Sequence, residues 1–158
     1  MTAEYLHVVA RDDGEAIWFL RTLMTVKASG AESGGAFSLI EVHYPPSFSP
    51  PLHLHHHEDE SFYVLEGEVI FTCGTATWTA GPGAFAVLPR GVEHGFKIGH
   101  ATPAKMLQMS SAPGLERFFR DAGGPAKDRT LPPTSEPLDL PRLKAAAERY
   151  GIELRLPN

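Results

Sequence analysis

Histidines at positions 53, 55, 56 and 57, followed by Glu58, Asp59 and Glu60, concentrate titratable side chains in one short run, HLHHHEDE, of a 158-residue chain. Side chains alternate between the faces of an extended strand, so His53 and His55 point the same way and can reach one ion together. Glu60 opens the next strand and offers a carboxylate from a neighbouring position. His94, just past the turn Pro89-Arg90-Gly91, offers a third imidazole. Three imidazoles and one carboxylate suit Fe, Mn, Co, Ni, Cu or Zn, and ill suit Mg or Ca, which take all-oxygen shells. The expected cofactor is therefore one divalent transition-metal ion per chain, held by His53, His55, Glu60 and His94. Donor types alone do not choose among these metals, since occupancy follows availability as much as affinity.

The neighbours of this set read differently. His56 points away from His55 if the chain is extended, and His57 competes as a ligand only if the loop bends. Glu58 and Asp59 read as solvent-facing acids, either of which can orient an imidazole from behind. His7, His43 and His100 lie outside the pattern, with surface or structural roles. Cys73 stands alone in a strand and reads as a small hydrophobe rather than a nucleophile, with no base placed near it. No P-loop, no GxGxxG after a strand and no GxSxG elbow is present.

These side chains need strands to hold them. Residues 16–28 are rich in β-branched and aromatic types and read as strand, 31–35 as a turn, 36–44 as strand, and the Pro-rich 44–51 as irregular. Residues 60–73 read as two strands joined in a hairpin at Glu66-Gly67. Strands at 75–80, 83–89, 94–98 and 104–110 follow between Gly- or Pro-containing turns, which points to a sandwich or barrel. Beyond them, 114–123 reads as a helix stopped at Gly123-Gly124. After a Pro-containing linker (125–137), 140–151 reads as a second helix, with Pro141 in its first turn and Gly151 as its cap. The expected fold is mostly β: one domain over 1–158, with a barrel core at about 16–110 and a helical extension at about 113–158. If Glu60 points inward, Phe62 and Val64 follow it, and His94 takes Phe96 with it. Phe62 and Phe96 are thus the candidate substrate-binding residues. Met106 and Gln108 share one face of their strand, Leu107 and Met109 the other. Phe118 and Phe119 are better placed to pack a helix down than to cover the barrel mouth.

Composition narrows the function classes. A net charge of −5 with no basic stripe disfavours nucleic acid as a partner. No apolar run approaches the roughly 18 residues of a membrane helix. The N-terminal stretch lacks a signal-peptide pattern, and the single cysteine permits no intrachain disulfide, so a cytoplasmic location is expected. The 15 glycines and 14 prolines suit a chain that turns often.

Together the motifs resemble the cupin family. Its first motif, G(X)5HXH(X)3–4E(X)6G, fits residues 47–67 with His53, His55, Glu60 and Gly67 in register, the leading glycine being Ser47 here. Its second, G(X)5PXG(X)2H(X)3N, is matched by Gly83, Pro89, Gly91 and His94, with Ile98 in place of the asparagine. The resemblance implies a conical barrel of two antiparallel sheets with the metal inside, and pairing into a homodimer. The stretch PPLHLHHHEDESFYVLEGEV and the tail SAPGLERFFRDAG with a following YGIEL helix look closest to single-domain quercetin-dioxygenase-like cupins. That likeness implies a metal-dependent dioxygenase that opens the ring of a flavonol-like enol with dioxygen, with Glu60 both ligating the ion and acting as catalytic base. Two other functions fit the family: a metal-dependent isomerase or lyase on a small polar metabolite, which needs cations near the metal such as Arg90 or Lys97, and a barrel that binds a small molecule without turnover.

Overall fold

The computed structural model describes residues 6–135 and 137–156. The β-branched and aromatic segments form strands that alternate in burial, as one-sided packing requires. The first half contributes β1 (Glu15–Phe19), β2 (Thr22–Ala28), β3 (Ser38–Tyr44), β4 (Leu52–His55) and β5 (Glu60–Glu66). Next come β6 (Val69–Cys73), β7 (Ala76–Ala80), β8 (Phe85–Leu88), β9 (His94–Ile98) and β10 (Ala104–Ser110). The tail holds α1 (Leu115–Ala122), a two-residue β11 (Gly124–Pro125), α2 (Leu140–Arg149) and β12 (Ile152–Arg155). The strands pair antiparallel in two sheets, ordered β11-β1-β2-β3-β10-β5-β8 and β12-β4-β9-β6-β7. Their inner faces form one apolar core around Ile40, Val42, Phe62, Val64, Val69, Ile98 and Met106, each no more than 1% exposed. The fold is mostly β with two helices, as expected. No helix among the described residues is long and apolar enough to cross a membrane.

Three local expectations need correction. Residues 16–28 are not one strand but the hairpin β1–β2, turned at Leu20 and Arg21, which both adopt positive φ (47° and 70°). Residues 60–73 do form two strands, but they do not pair as a hairpin: β5 joins β10 and β8, whereas β6 joins β9 and β7 in the other sheet. Gly67 sits at this crossing with φ 85°, and a Cβ there would lie 2.5 Å from the Pro103 carbonyl. Glu66-Gly67 is therefore a corner between sheets, which looks like a tight turn in sequence. The YGIEL segment is not helical. α2 ends at Arg149, Gly151 turns the chain at φ 68°, and Ile152–Arg155 returns as β12 along β4. Composition favours helix up to Tyr150, but the free edge of β4 captures the segment that follows.

At the first-motif position where a glycine is usual, Ser47 holds φ 62° and keeps the left-handed turn, with its N–H donating to the Gly99 carbonyl at 3.0 Å. Ile98, in place of the second motif's asparagine, is fully buried in the core.

Candidate metal centre

β4 carries two of the expected ligands. His53 and His55 share its inner face by alternation, and the strand is gripped on both edges: β12 pairs Ile152 with His55 and Leu154 with His53, while β9 pairs His94 with His53. Cross-strand pairing brings the His53 and His94 rings to 4.7 Å between centroids, and the His55 and His94 rings stack 5.6 Å apart. Glu60, the first residue of β5, projects from the opposite sheet into the same space. The nearest donor atoms of His53, His55, Glu60 and His94 all lie within 4.8 Å of one another. His55, Glu60 and His94 are at most 2% exposed.

Each imidazole is turned by a hydrogen bond from its far nitrogen. His53 Nδ1 lies 2.8 Å from the Pro51 carbonyl, His94 Nδ1 2.9 Å from the Val92 carbonyl, and His55 Nδ1 2.5 Å from Glu58 Oε1. Carbonyls and carboxylates only accept, so these contacts place the proton on Nδ1 and the lone pair on Nε2 in all three neutral rings. The three Nε2 atoms face Glu60 Oε2 at 3.5, 3.2 and 2.9 Å. Lone pairs aimed at a buried carboxylate oxygen repel unless positive charge sits among them.

Two further observations fit a cation. His55 Nε2 is buried without a properly directed hydrogen-bond partner among the described residues. The charges of His55 and Glu60 express the same demand when no cation lies between them. Burial alone lowers the His55 pKa, but the charge of Glu60 and the hydrogen bond to Glu58 outweigh it and push it up to about 10. Burial alone raises the Glu60 pKa, and the charge of a protonated His55 outweighs this, holding the carboxylate well below its usual range. A proton on His55 and a divalent cation thus compete for the same electron pair. This donor set of three imidazoles and one carboxylate can hold a transition metal.

Two supporting residues complete the site: Glu58, for which the sequence offers orienting an imidazole as the alternative role, and Gln108, whose role the sequence does not show. Glu58 is not a solvent-facing acid: the loop between β4 and β5 bends, burying it at 8% exposure behind His55. Gln108 donates from Nε2 to Glu60 Oε1 at 2.6 Å and fixes the carboxylate's rotation. Its strand alternation with Met106 was legible, its partner was not. Asp59 does face solvent, in a bidentate pair with Arg90 that pins the loop to the turn before His94. His56 reaches Glu153 at 3.1 Å, and His57 lies against Gly151; neither joins the cluster.

Three of the four site residues, His53, His55 and Glu60, line a small cavity of about 60 Å³ walled by Phe48, Phe62, Phe96, Tyr44, Phe118 and Phe119 among others. Phe62 and Phe96 stand 5.4 Å apart, as their alternation with Glu60 and His94 implies. Phe118 and Phe119 pack α1 against Phe19 and also line the cavity. Among the described residues its lining contains no Lys or Arg; Arg90 is engaged by Asp59, and Lys97 is exposed on the outer face of β9. Beyond the mouth, an outer groove of about 660 Å³ shares Phe19, Leu20, Phe48, Pro50, Pro51 and Leu143 with the inner cavity.

Residues 40–110, which span all four site residues, match the family model described as a cupin domain. The chain carries a cupin domain. This cupin is 24% identical over 143 residues to quercetin 2,3-dioxygenase of Bacillus subtilis (strain 168), covering 89% of the chain and 42% of that relative. It therefore spans less than half the length of the curated relative it matches. Two solved structures share the fold. One, a Thermotoga maritima protein described as a predicted oxalate decarboxylase, is 24% identical with a TM-score of 0.58, over 66% of this cupin and 98% of that chain. The other, an RmlC-like cupin from Shewanella frigidimarina, is 14% identical with a TM-score of 0.57, over 72% and 99%.

Proposed function

We propose that this cupin is a metal-dependent dioxygenase that opens the ring of a flavonol-like enol. The observation that carries the proposal is the convergence of three Nε2 lone pairs and Glu60 Oε2 beside an aromatic cavity lined by no Lys or Arg. Such a lining suits an apolar ring with one ionisable oxygen, and offers no Lys or Arg to hold the phosphate or carboxylate of a polar isomerase or lyase substrate. The distant likeness to a quercetin 2,3-dioxygenase points the same way.

His53, His55, Glu60 and His94 would hold the ion, which when bound would supply Lewis acidity toward an enol oxygen and electron exchange between substrate and dioxygen. The remaining steps belong to side chains. Gln108 occupies Glu60 Oε1, leaving Oε2 as the oxygen that can take the enol proton. Phe62 and Phe96 flank the ring and exclude water. About 60 Å³ is far too small for a whole flavonol, so most of the molecule would lie in the outer groove that shares residues with this cavity.

The test is metal analysis of purified protein, followed by aerobic incubation of metal-loaded protein with quercetin while its visible absorbance is followed. Bleaching with carbon monoxide release is expected. Unchanged quercetin with fully loaded protein rejects the dioxygenase. Failure to retain any of the first-row divalent ions after dialysis rejects the metal centre itself.

A further inference from the structure

Among the described residues, two buried side-chain atoms lack a hydrogen-bond partner, His55 Nε2 and Tyr44 Oη, and both residues line the same cavity. The first is an acceptor, and a bound metal would account for it. The second is a donor. A buried hydroxyl without a partner is costly, and native structures seldom leave one unless something else satisfies it.

Tyr44 is the last residue of β3 and shares the inner face with Ile40 and Val42, at 2% exposure. Its ring stands edge-on to Phe96 at 5.3 Å and tilted to Phe48 at 5.5 Å, so it continues the aromatic wall that Phe62 and Phe96 begin. The other polar groups of the lining have partners: Thr22 donates to the Phe19 carbonyl, Gln108 to Glu60, and His53 and His55 are anchored through Nδ1. A phenol is protonated at neutral pH, so Tyr44 Oη has a hydrogen to give.

We infer that Tyr44 is a specificity-determining residue whose hydroxyl donates a hydrogen bond to an oxygen of the bound substrate, selecting ligands with an acceptor oxygen besides the one that meets the metal. The substrate class is therefore an aromatic enol with a second oxygen, such as a hydroxy-enone or a vicinal diol. A site built to hydrogen-bond a substrate group discriminates against analogues lacking it, since the buried partner is then left unpaired. This inference rests on the cavity being the substrate site proposed above.

The test compares metal-loaded wild type with Tyr44→Phe. With no ligand, the variant is expected to retain its metal and to melt no lower than wild type, because the hydroxyl it loses has no partner in the fold. Anaerobic titration with quercetin is expected to give about tenfold weaker binding, the worth of one such hydrogen bond. A fall in Tm of several degrees, or failure to fold, assigns the hydroxyl to the fold and overturns the inference. Equal quercetin affinity also overturns it, and leaves the dioxygenase proposal standing. If wild type binds no quercetin, the flavonol proposal fails and catechol, a single-ring vicinal diol, becomes the probe. Binding weakened about tenfold in the variant then upholds the Tyr44 role, and equal or absent binding refutes it.

Discussion

Removing the Glu58 carboxylate tests whether the site is held from behind. Glu58 accepts from His55 Nδ1 at 2.5 Å while both residues are buried. In Glu58→Ala the His55 Nδ1–H faces no acceptor, which costs about 1–3 kcal/mol for a buried donor. The ring also loses the contact that keeps its Nε2 turned toward Glu60. Loss of such a supporting partner typically lowers metal affinity about 10–100-fold, or about 1.4–2.7 kcal/mol, in agreement with the donor's cost. Glu58→Gln keeps an acceptor oxygen without the charge and should lie nearer the low end. Asp59→Asn is the internal control: it weakens an exposed pair with Arg90 beside the same loop and touches no imidazole, so affinity should change less than about twofold. Competition against a chelator of known affinity, with Zn(II) or Co(II) at neutral pH, measures all three. Wild-type affinity in Glu58→Ala would refute the orienting role, and an equal loss in Asp59→Asn would show that loop position rather than the His55 contact matters.

Other substitutions probe the frame. Glu116 is 1% exposed; burial raises its pKa, but hydrogen bonds from Ser38 and the Gly114 and Gly30 amides outweigh this and hold it below 4.5. Because the folded value lies below the unfolded one, its contribution is present above about pH 4.5 and is lost as pH falls through the folded value. Glu116→Gln should therefore cost about 1–2 kcal/mol at pH 7 and progressively less below pH 4.5 in denaturant titrations; a gap independent of pH contradicts this. Ser47→Val forces a β-branched residue to φ 62° and should lower stability by about 2 kcal/mol, with Ser47→Gly near neutral in thermal melts. Gly67→Ala drives a Cβ to 2.5 Å from the Pro103 carbonyl at φ 85°. A loss of more than about 2 kcal/mol in denaturant titration is expected, and a wild-type midpoint would contradict the crossing geometry.

The candidate ligand set was legible in the sequence because it depends on local geometry. A strand alternates, so His53 and His55 share a face, and the same rule sends Glu60 inward with Phe62 and His94 inward with Phe96. What those rules do not contain is which strand lies beside which. Residues 60–73 carry the composition of a hairpin, yet Gly67 hands the chain from one sheet to the other, because β5 and β6 each gain more from partners elsewhere in the sequence. The return of Ile152–Arg155 along β4 is likewise a long-range pairing, hidden behind a helix-rich tail. Glu58 behind His55, Gln108 against Glu60 and the partnerless Tyr44 hydroxyl all arise where chain segments far apart or sharply bent come together. Local alternation determined which side chains could meet a metal; tertiary packing decided what orients them and which buried hydroxyl is left without a partner.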